Sequence, residues 1–224
     1  MSTLPKISVR PPSPNNVKIA IALAYKGIEH EVQDVAAWGD GAAEKLIELS
    51  GQPLTPVIEH KGVVLFDSCA ILRFLDANFD GPRLYSADRA EMKEIESWEM
   101  FHLASIGRSI RPAFGVVFGR EPETEHASIL AKVNQDAREA SAAVETRLAE
   151  QAVKGSAWLV GNSMTAADIC VASMLIFAAF PEALRSYSPL WKWFGERVDI
   201  GTDRTLCREW IGRVFTYLPV PEGV

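Results

Sequence analysis

Several short clusters carry residue types that could do chemistry. Ser13-Pro14-Asn15-Asn16 stands directly before the apolar run VKIAIALAYKG. Serine is a favoured helix N-cap and proline suits the first helical position, so the plain reading of this cluster is a helix start. The chemical reading uses the same geometry. A strand, a tight turn and a helix N-terminus aim backbone N–H groups and the positive end of the helix dipole at one point, which stabilises an anion. If the anion is a thiolate, the Ser13 hydroxyl adds a charge-assisted hydrogen bond. Lowering a thiol from its ordinary pKa near 8.5 by about two units takes ~2.7 kcal/mol. One hydrogen bond to a charged group gives ~1.5–3 kcal/mol and the dipole ~0.3–1 kcal/mol. A single hydroxyl at a helix start can therefore supply most of the activation. The residues alone do not say which thiol.

The other clusters have plain readings of the same kind. Asp67-Ser68 precedes CAILRFLDANF, and either residue can cap that helix. Thr55-Pro56 opens an apolar segment at one of the few strand positions that tolerate proline. Thr165-Ala166-Ala167-Asp168 has capping-box spacing: Thr165 caps and Asp168 reaches back, with Met164 and Ile169 placed as a hydrophobic staple. This last cluster is assigned to folding. Cys69, Cys170 and Cys207 are odd in number and far apart, the usage of a reducing compartment without a disulfide framework. The four histidines form no metal-ligand spacing, and there is no P-loop or GxGxxG, so no metal is expected. Trp38, Phe101, Phe114, Phe118 and Trp210 are candidates for an apolar cleft, although aromatics at helical spacing are more often core.

The elements that must position these residues fall into two halves. KISVR (6–10) alternates as a strand, 14–26 is a helix apolar on most of its surface, and EHEVQDV (29–35) is a second strand. A short helix over 42–50 follows, then a hairpin over 56–66 turning at Lys61-Gly62, then an amphipathic helix over 68–79. Strand signals end after the polar stretch 81–89, which reads as a linker. Helical periodicity then fills 90–224, with segments over 88–118 (interrupted near Gly107 and Pro112), 124–153, 165–180, 189–198 and 203–217. The domains are thus 1–80, an α/β layer structure, and 90–224, all α.

Composition bounds the partners. With 23% charged and 48% hydrophobic residues in 224, the chain reads as an ordinary soluble globular protein, and its net charge of −6 argues against nucleic acid. The longest apolar run, ICVASMLIFAAF, falls short of the ~20 residues that span a bilayer and reads as a buried helix, so no membrane partner is expected. The first ten residues lack the apolar stretch of a secretory signal, which leads to a cytoplasmic reading.

The first helix resembles that of the cytosolic glutathione transferases, whose pattern is S-P-x-x-x-K/R-V/I with a helix ending in K/E-G; Ser13, Pro14, Lys18, Ile19, Lys26 and Gly27 fit it. TPVIEHKGVVLFDSCAILRFLD is similar to the family's V-P-x-L…G…L-x-E/D-S-x-A-I-x-x-Y/F-L block, and VGNSMTAADICVA to its G-x-x-x-T/S-x-A-D-I motif. RLYSADRAEMKEIESW is similar to its L-Y-P…R-A-x-x-x-x-W junction, so the likeness runs from residue 6 to about 180.

The resemblance implies a thioredoxin-like first domain that binds glutathione as co-substrate, followed by an all-helical domain. It implies a cis Thr55–Pro56 bond whose preceding backbone pairs with the cysteinyl unit. It places the γ-glutamyl carboxylate on Ser68, with Asp67 toward the ammonium group, and a thiolate on Ser13. It implies a homodimer, and an apolar electrophile as second substrate, the role of a detoxification enzyme. SPNNVKI is also similar to the T/A-P-N-G-x-K-I/V stretch of nu-class and fungal prion-related transferases. There Asn15 would help hold the sulfur and disulfide or peroxide reduction would be favoured. The "SPN…ALAYKG" pattern is similar to β-etherase-like transferases as well. Where the family usually has Lys or Gln before the cis proline, Leu54 stands here and cannot donate a hydrogen bond. The glycyl carboxylate would then fall to Lys45, Gln52 or Trp38. A binding module that kept the fold without the chemistry is the remaining alternative.

Overall fold

The computed structural model describes residues 4–10, 13–185 and 188–219, the side chain of Ala183 excepted. The chain divides into two compact units. One comprises residues up to Tyr85 together with Tyr217–Pro219; the other runs over Ser86–Thr216.

The first unit is a four-stranded mixed sheet with helices. Strands β1 (Lys6–Val9), β2 (Glu31–Asp34), β3 (Val57–His60) and β4 (Val63–Leu65) lie in the order β2-β1-β3-β4. β1 runs parallel to β2, Ile7 facing Val32, and antiparallel to β3, Ile7 facing Ile58; β3 and β4 form the hairpin around Lys61-Gly62. The parallel pair needs a crossover, and α1 (Pro14–Lys26) provides it. Because α1 is apolar nearly all round, it is buried along Val17, Ile19, Ile21, Ala22 and Leu23, and it packs against α3 (Ser68–Asn78). It ends where Gly27 takes the left-handed conformation (φ 67°), with the Ile28 N–H donating to the Leu23 carbonyl at 2.9 Å. The short helix α2 (Ala42–Ser50) sets Ala42 and Leu46 against Val35 and Val57.

The polar stretch after α3 is tied down by a buried acid. Asp76 pairs with the Lys26 ammonium at 3.2 Å and accepts from Arg83 Nε (3.1 Å), the Leu84 N–H (2.8 Å) and the Tyr85 N–H (3.3 Å). Gly81 (φ 108°) passes so close to the end of α1 that a Cβ there would lie 2.4 Å from the Lys26 carbonyl oxygen. No other residue fits.

In the second unit, the regular elements among the described residues are helical. They are α4 (Arg89–Phe101), α5 (Gly107–Val117), α6 (His126–Val153), α7 (Ala166–Leu175), α8 (Glu182–Arg185), α9 (Pro189–Arg197) and α10 (Thr205–Phe215). The expected interruption near Gly107 and Pro112 is not a break. A single wide π turn over His102–Ile106 joins α4 to α5, the Gly107 N–H reaching back to the His102 carbonyl, and Pro112 lies inside α5. A mid-helix proline costs ~3 kcal/mol. Burying Ile110, Ala113 and Val116 on one face offsets it, at ~1.5–3 kcal/mol for each larger side chain. The run over Ile169–Phe180 is buried throughout. Among the described residues no helix is long and apolar enough to cross a membrane.

Candidate functional site

At the start of α1, Ser13 holds the N-cap position with extended backbone (φ −128°, ψ 130°), and its carbonyl accepts from the Val17 N–H at 3.0 Å. Its half-buried side chain makes no capping hydrogen bond. Pro14 begins the helix without an N–H, so the positive end of α1 retains first-turn donors next to a hydroxyl that does not cap it.

The next turn ties this helix start to two other segments. Asn16 is buried, and its Nδ2 donates to the Arg10 carbonyl at 2.8 Å and to Thr55 Oγ1 at 3.2 Å. It thereby links the end of β1 to the residue before Pro56, and the Thr55–Pro56 bond is cis. Its own Oδ1 is buried and accepts no hydrogen bond among the described residues. Beside this turn, Gln52 bonds the Leu54 backbone from both sides: Leu54 N–H to Oε1 at 2.7 Å, Nε2 to the Leu54 carbonyl at 2.8 Å. The Leu54 side chain is 69% exposed. Gln52 is therefore committed to the loop, Trp38 packs on the Val35–Leu46 cluster, and Lys45 is exposed, its side chain making no hydrogen bond or ion pair among the described residues.

At the start of α3, exposed Asp67 is the N-cap, its Oδ1 accepting from the Ala70 N–H at 2.8 Å. Ser68 is buried in the first turn. Lys18, 1% exposed on α1, donates from Nζ to Ser68 Oγ at 3.0 Å and to Asn15 Oδ1 at 3.3 Å. Ser68 Oγ also lies 3.4 Å from Asn15 Oδ1. Two helix starts thus meet through a buried ammonium. Asn15 comes to Ser68, and Asn16 to Thr55. Among the described residues no hydrogen bond joins the Ser13 side chain to either pair.

The α7 start is built differently. The Asp168 carboxylate accepts from the Thr165 N–H (2.9 Å), Thr165 Oγ1 (3.0 Å), the Leu159 N–H (2.9 Å) and the Trp210 indole N–H (2.9 Å), all buried. Burial pushes this carboxyl above its ordinary 3.8, and the four donors oppose the rise. Trp210 is core here, and half-buried Phe114 packs against the buried Phe177 and Phe194. Cys207 is buried, and desolvation, then the nearby Glu145 carboxylate, push its thiol up to about 12. It is inert rather than nucleophilic at neutral pH.

Two family models match this chain: the glutathione S-transferase N-terminal domain over residues 12–78 and the glutathione S-transferase C-terminal domain over 127–213. The chain belongs to the glutathione transferase family. Its fold, a thioredoxin-like domain and a helical one, is that of solved family structures. Ure2p in complex with glutathione superposes with a TM-score of 0.72 at 21% identity, covering 96% of each chain. A glutathione S-transferase from Pseudomonas fluorescens gives 0.71 at 22%, covering 95% of each. At such identities the likeness speaks for the fold alone. In sequence, the chain is 30% identical over 162 residues to elongation factor 1-gamma 2 of Oryza sativa subsp. japonica, covering 69% of this chain. It spans only 36% of that relative's length.

In this transferase-family chain, sequence reasoning missed Asn16 and the partners of Lys18. A signal was present: a lysine and an asparagine inside a helix apolar nearly all round must be buried, and buried polar groups find hydrogen bonds. The pattern says that partners exist. Only the fold says that they are Thr55, Asn15 and Ser68.

Proposed function

We propose that the chain is a glutathione transferase that activates the thiol of glutathione for attack on a small apolar electrophile, in the cytoplasm and as a homodimer, the chemistry of a detoxification enzyme. The observation that carries this reading is the Ser13 hydroxyl, which holds a helix N-cap position without making a capping bond. In the reaction the thiol gives its proton to solvent. Ser13, helped by Asn15, stabilises the thiolate through a hydroxyl hydrogen bond and the helix dipole. The sulfur lone pair forms a carbon–sulfur bond, and the leaving group departs with its electron pair. The backbone of Thr55, before Pro56, pairs with the cysteinyl unit, and Asp67 and Ser68 take the γ-glutamyl end. Holding the γ-glutamyl end and the cysteinyl sulfur on two rigid helix starts supplies orientation.

Turnover of a chloronitroaromatic, compared with reduction of a small mixed disulfide, tests the reading. Conjugation as the faster activity is expected; reduction as the faster would make the chain a glutathione-dependent reductase. A second reading, a binding module without chemistry, is favoured by the commitment of Gln52, the exposed Leu54 and the likeness to an elongation factor. Titration calorimetry with glutathione decides it. Absence of heat at millimolar ligand removes the enzyme reading.

A further inference from the structure

We infer that Lys18 is the positioning residue of the γ-glutamyl subsite: its buried ammonium sets the hydrogen-bond polarity of Ser68 and Asn15 so that the Ser68 hydroxyl presents a donor to a carboxylate and the Asn15 amide turns its NH2 outward. The inference rests on the glutathione reading above.

An ammonium has three N–H donors and no acceptor. Every atom within reach of Lys18 Nζ must therefore accept from it, and Ser68 Oγ at 3.0 Å and Asn15 Oδ1 at 3.3 Å are two such atoms. Two consequences follow. The Asn15 amide is fixed with its oxygen toward Lys18, so its NH2 is turned the other way, at an exposed position. The Ser68 oxygen is used as an acceptor, so its own hydrogen is available. Its one described acceptor is Asn15 Oδ1 at 3.4 Å, well beyond the ~2.7–2.8 Å of a good O–H···O bond. A ligand carboxylate at the start of α3 is a better acceptor for that hydrogen.

Charge points the same way. Asp67 is the residue before Ser68, and a carboxylate ligand would otherwise meet a carboxylate side chain together with only the helix dipole. Lys18, bonded to the neighbouring Ser68, brings a cation to that helix start. Its side chain is 1% exposed, so the Coulomb interaction is screened far less than at the surface. An apolar side chain of equal length would remove the charge and leave the amide and hydroxyl free to turn their acceptors outward.

The test is titration calorimetry of the intact chain with two ligands: glutathione, and γ-aminobutyryl-cysteinylglycine, which is glutathione without its γ-glutamyl carboxylate. The native chain is expected to prefer glutathione by about tenfold or more, the scale of one hydrogen bond to a charged group. In Lys18→Met the preference should fall to within about threefold while affinity for the analogue holds; Lys18→Arg, which keeps charge and donors, should retain it. If Lys18→Met does not fold, Lys18→Gln is read in its place. A preference that survives Lys18→Met or Lys18→Gln overturns the inference and leaves the function reading intact. So does a native chain that binds both ligands alike, or a Lys18→Arg variant that loses the preference as fully as Lys18→Met. A native chain that binds neither ligand overturns both.

Discussion

Helices α1 and α7 begin alike and are used in opposite ways. Each has a hydroxyl residue at the N-cap in extended conformation, Ser13 at φ −128° and Thr165 at φ −121°. At α7 the hydroxyl and the backbone N–H of Thr165 both go to Asp168, whose other oxygen holds Leu159 and Trp210. At α1 the Ser13 hydroxyl caps nothing, and the polar side chains that follow reach outward, Asn15 to Ser68 and Lys18, Asn16 to Arg10 and Thr55. Sequence favours a cap at both. What separates them is whether an acceptor of the same chain closes the network. Closed, the helix start is part of the fold; open, its donors remain for a ligand.

The largest effect expected is at the closed start. Asp168→Ala removes the acceptor of four donors and strands the Leu159, Thr165 and Trp210 N–H groups in the core, each costing ~1–3 kcal/mol. A loss of at least ~3 kcal/mol is a large part of the ~5–15 kcal/mol a domain has. Urea unfolding followed by tryptophan fluorescence measures it. There is a pH signature too. The folded carboxyl titrates above 3.8, so proton binding favours the folded chain. The contribution from this shift is fully present below about 3.8 and is lost as pH rises through the raised folded value. The gap between native chain and Asp168→Ala should therefore narrow from acid toward neutral pH. A widening gap would mean that the four donors, not burial, set the titration.

At the open start the expected effect is on rate. Ser13→Ala should lower conjugation turnover at least tenfold, because one hydrogen bond to a thiolate is worth ~1.5–3 kcal/mol and ~1.4 kcal/mol is a factor of ten. Unchanged turnover would transfer the role to Asn15 or to the first-turn N–H groups of α1.

The difference between the two starts was only partly legible in the sequence. The strand–helix alternation over 6–79 and the helical run beyond it follow from periodicity, and the α7 capping box from spacing alone, since all its immediate partners lie within four residues. Its link to Trp210, 42 residues away, was not legible, because indole donors carry no positional pattern. Asn16 was hidden for the same reason: it bonds Thr55 across 39 residues. Lys18 was visible as part of a family pattern, yet its physical task depends on Ser68, 50 residues on. Pro112 misled, because a local breaker was outweighed by burial of one helix face.

A smaller effect is expected from Thr165→Ala. It removes the hydroxyl but leaves the Thr165 N–H bonded to Asp168, so the loss should be about 1 kcal/mol, the usual worth of an N-cap side chain. Denaturant midpoints read it, with the slope unchanged if the fold persists. A loss near that of Asp168→Ala would mean that the hydroxyl, rather than the carboxylate, organises the box.

The smallest effect expected is that of Ser13→Ala on stability, and it is the sharpest test of the comparison. An N-cap serine ordinarily contributes ~0.5–2 kcal/mol through its side-chain bond to the first turn. That bond is absent at α1, where the hydroxyl is half-buried. Removing it should cost less than about 0.5 kcal/mol, below Thr165→Ala measured under the same conditions. The pairing of results matters more than either value. A large loss of turnover with almost no loss of stability places the hydroxyl at the ligand. A loss of stability equal to that of Thr165→Ala would mean that Ser13 closes its own helix in solution, and the two starts would then be the same device.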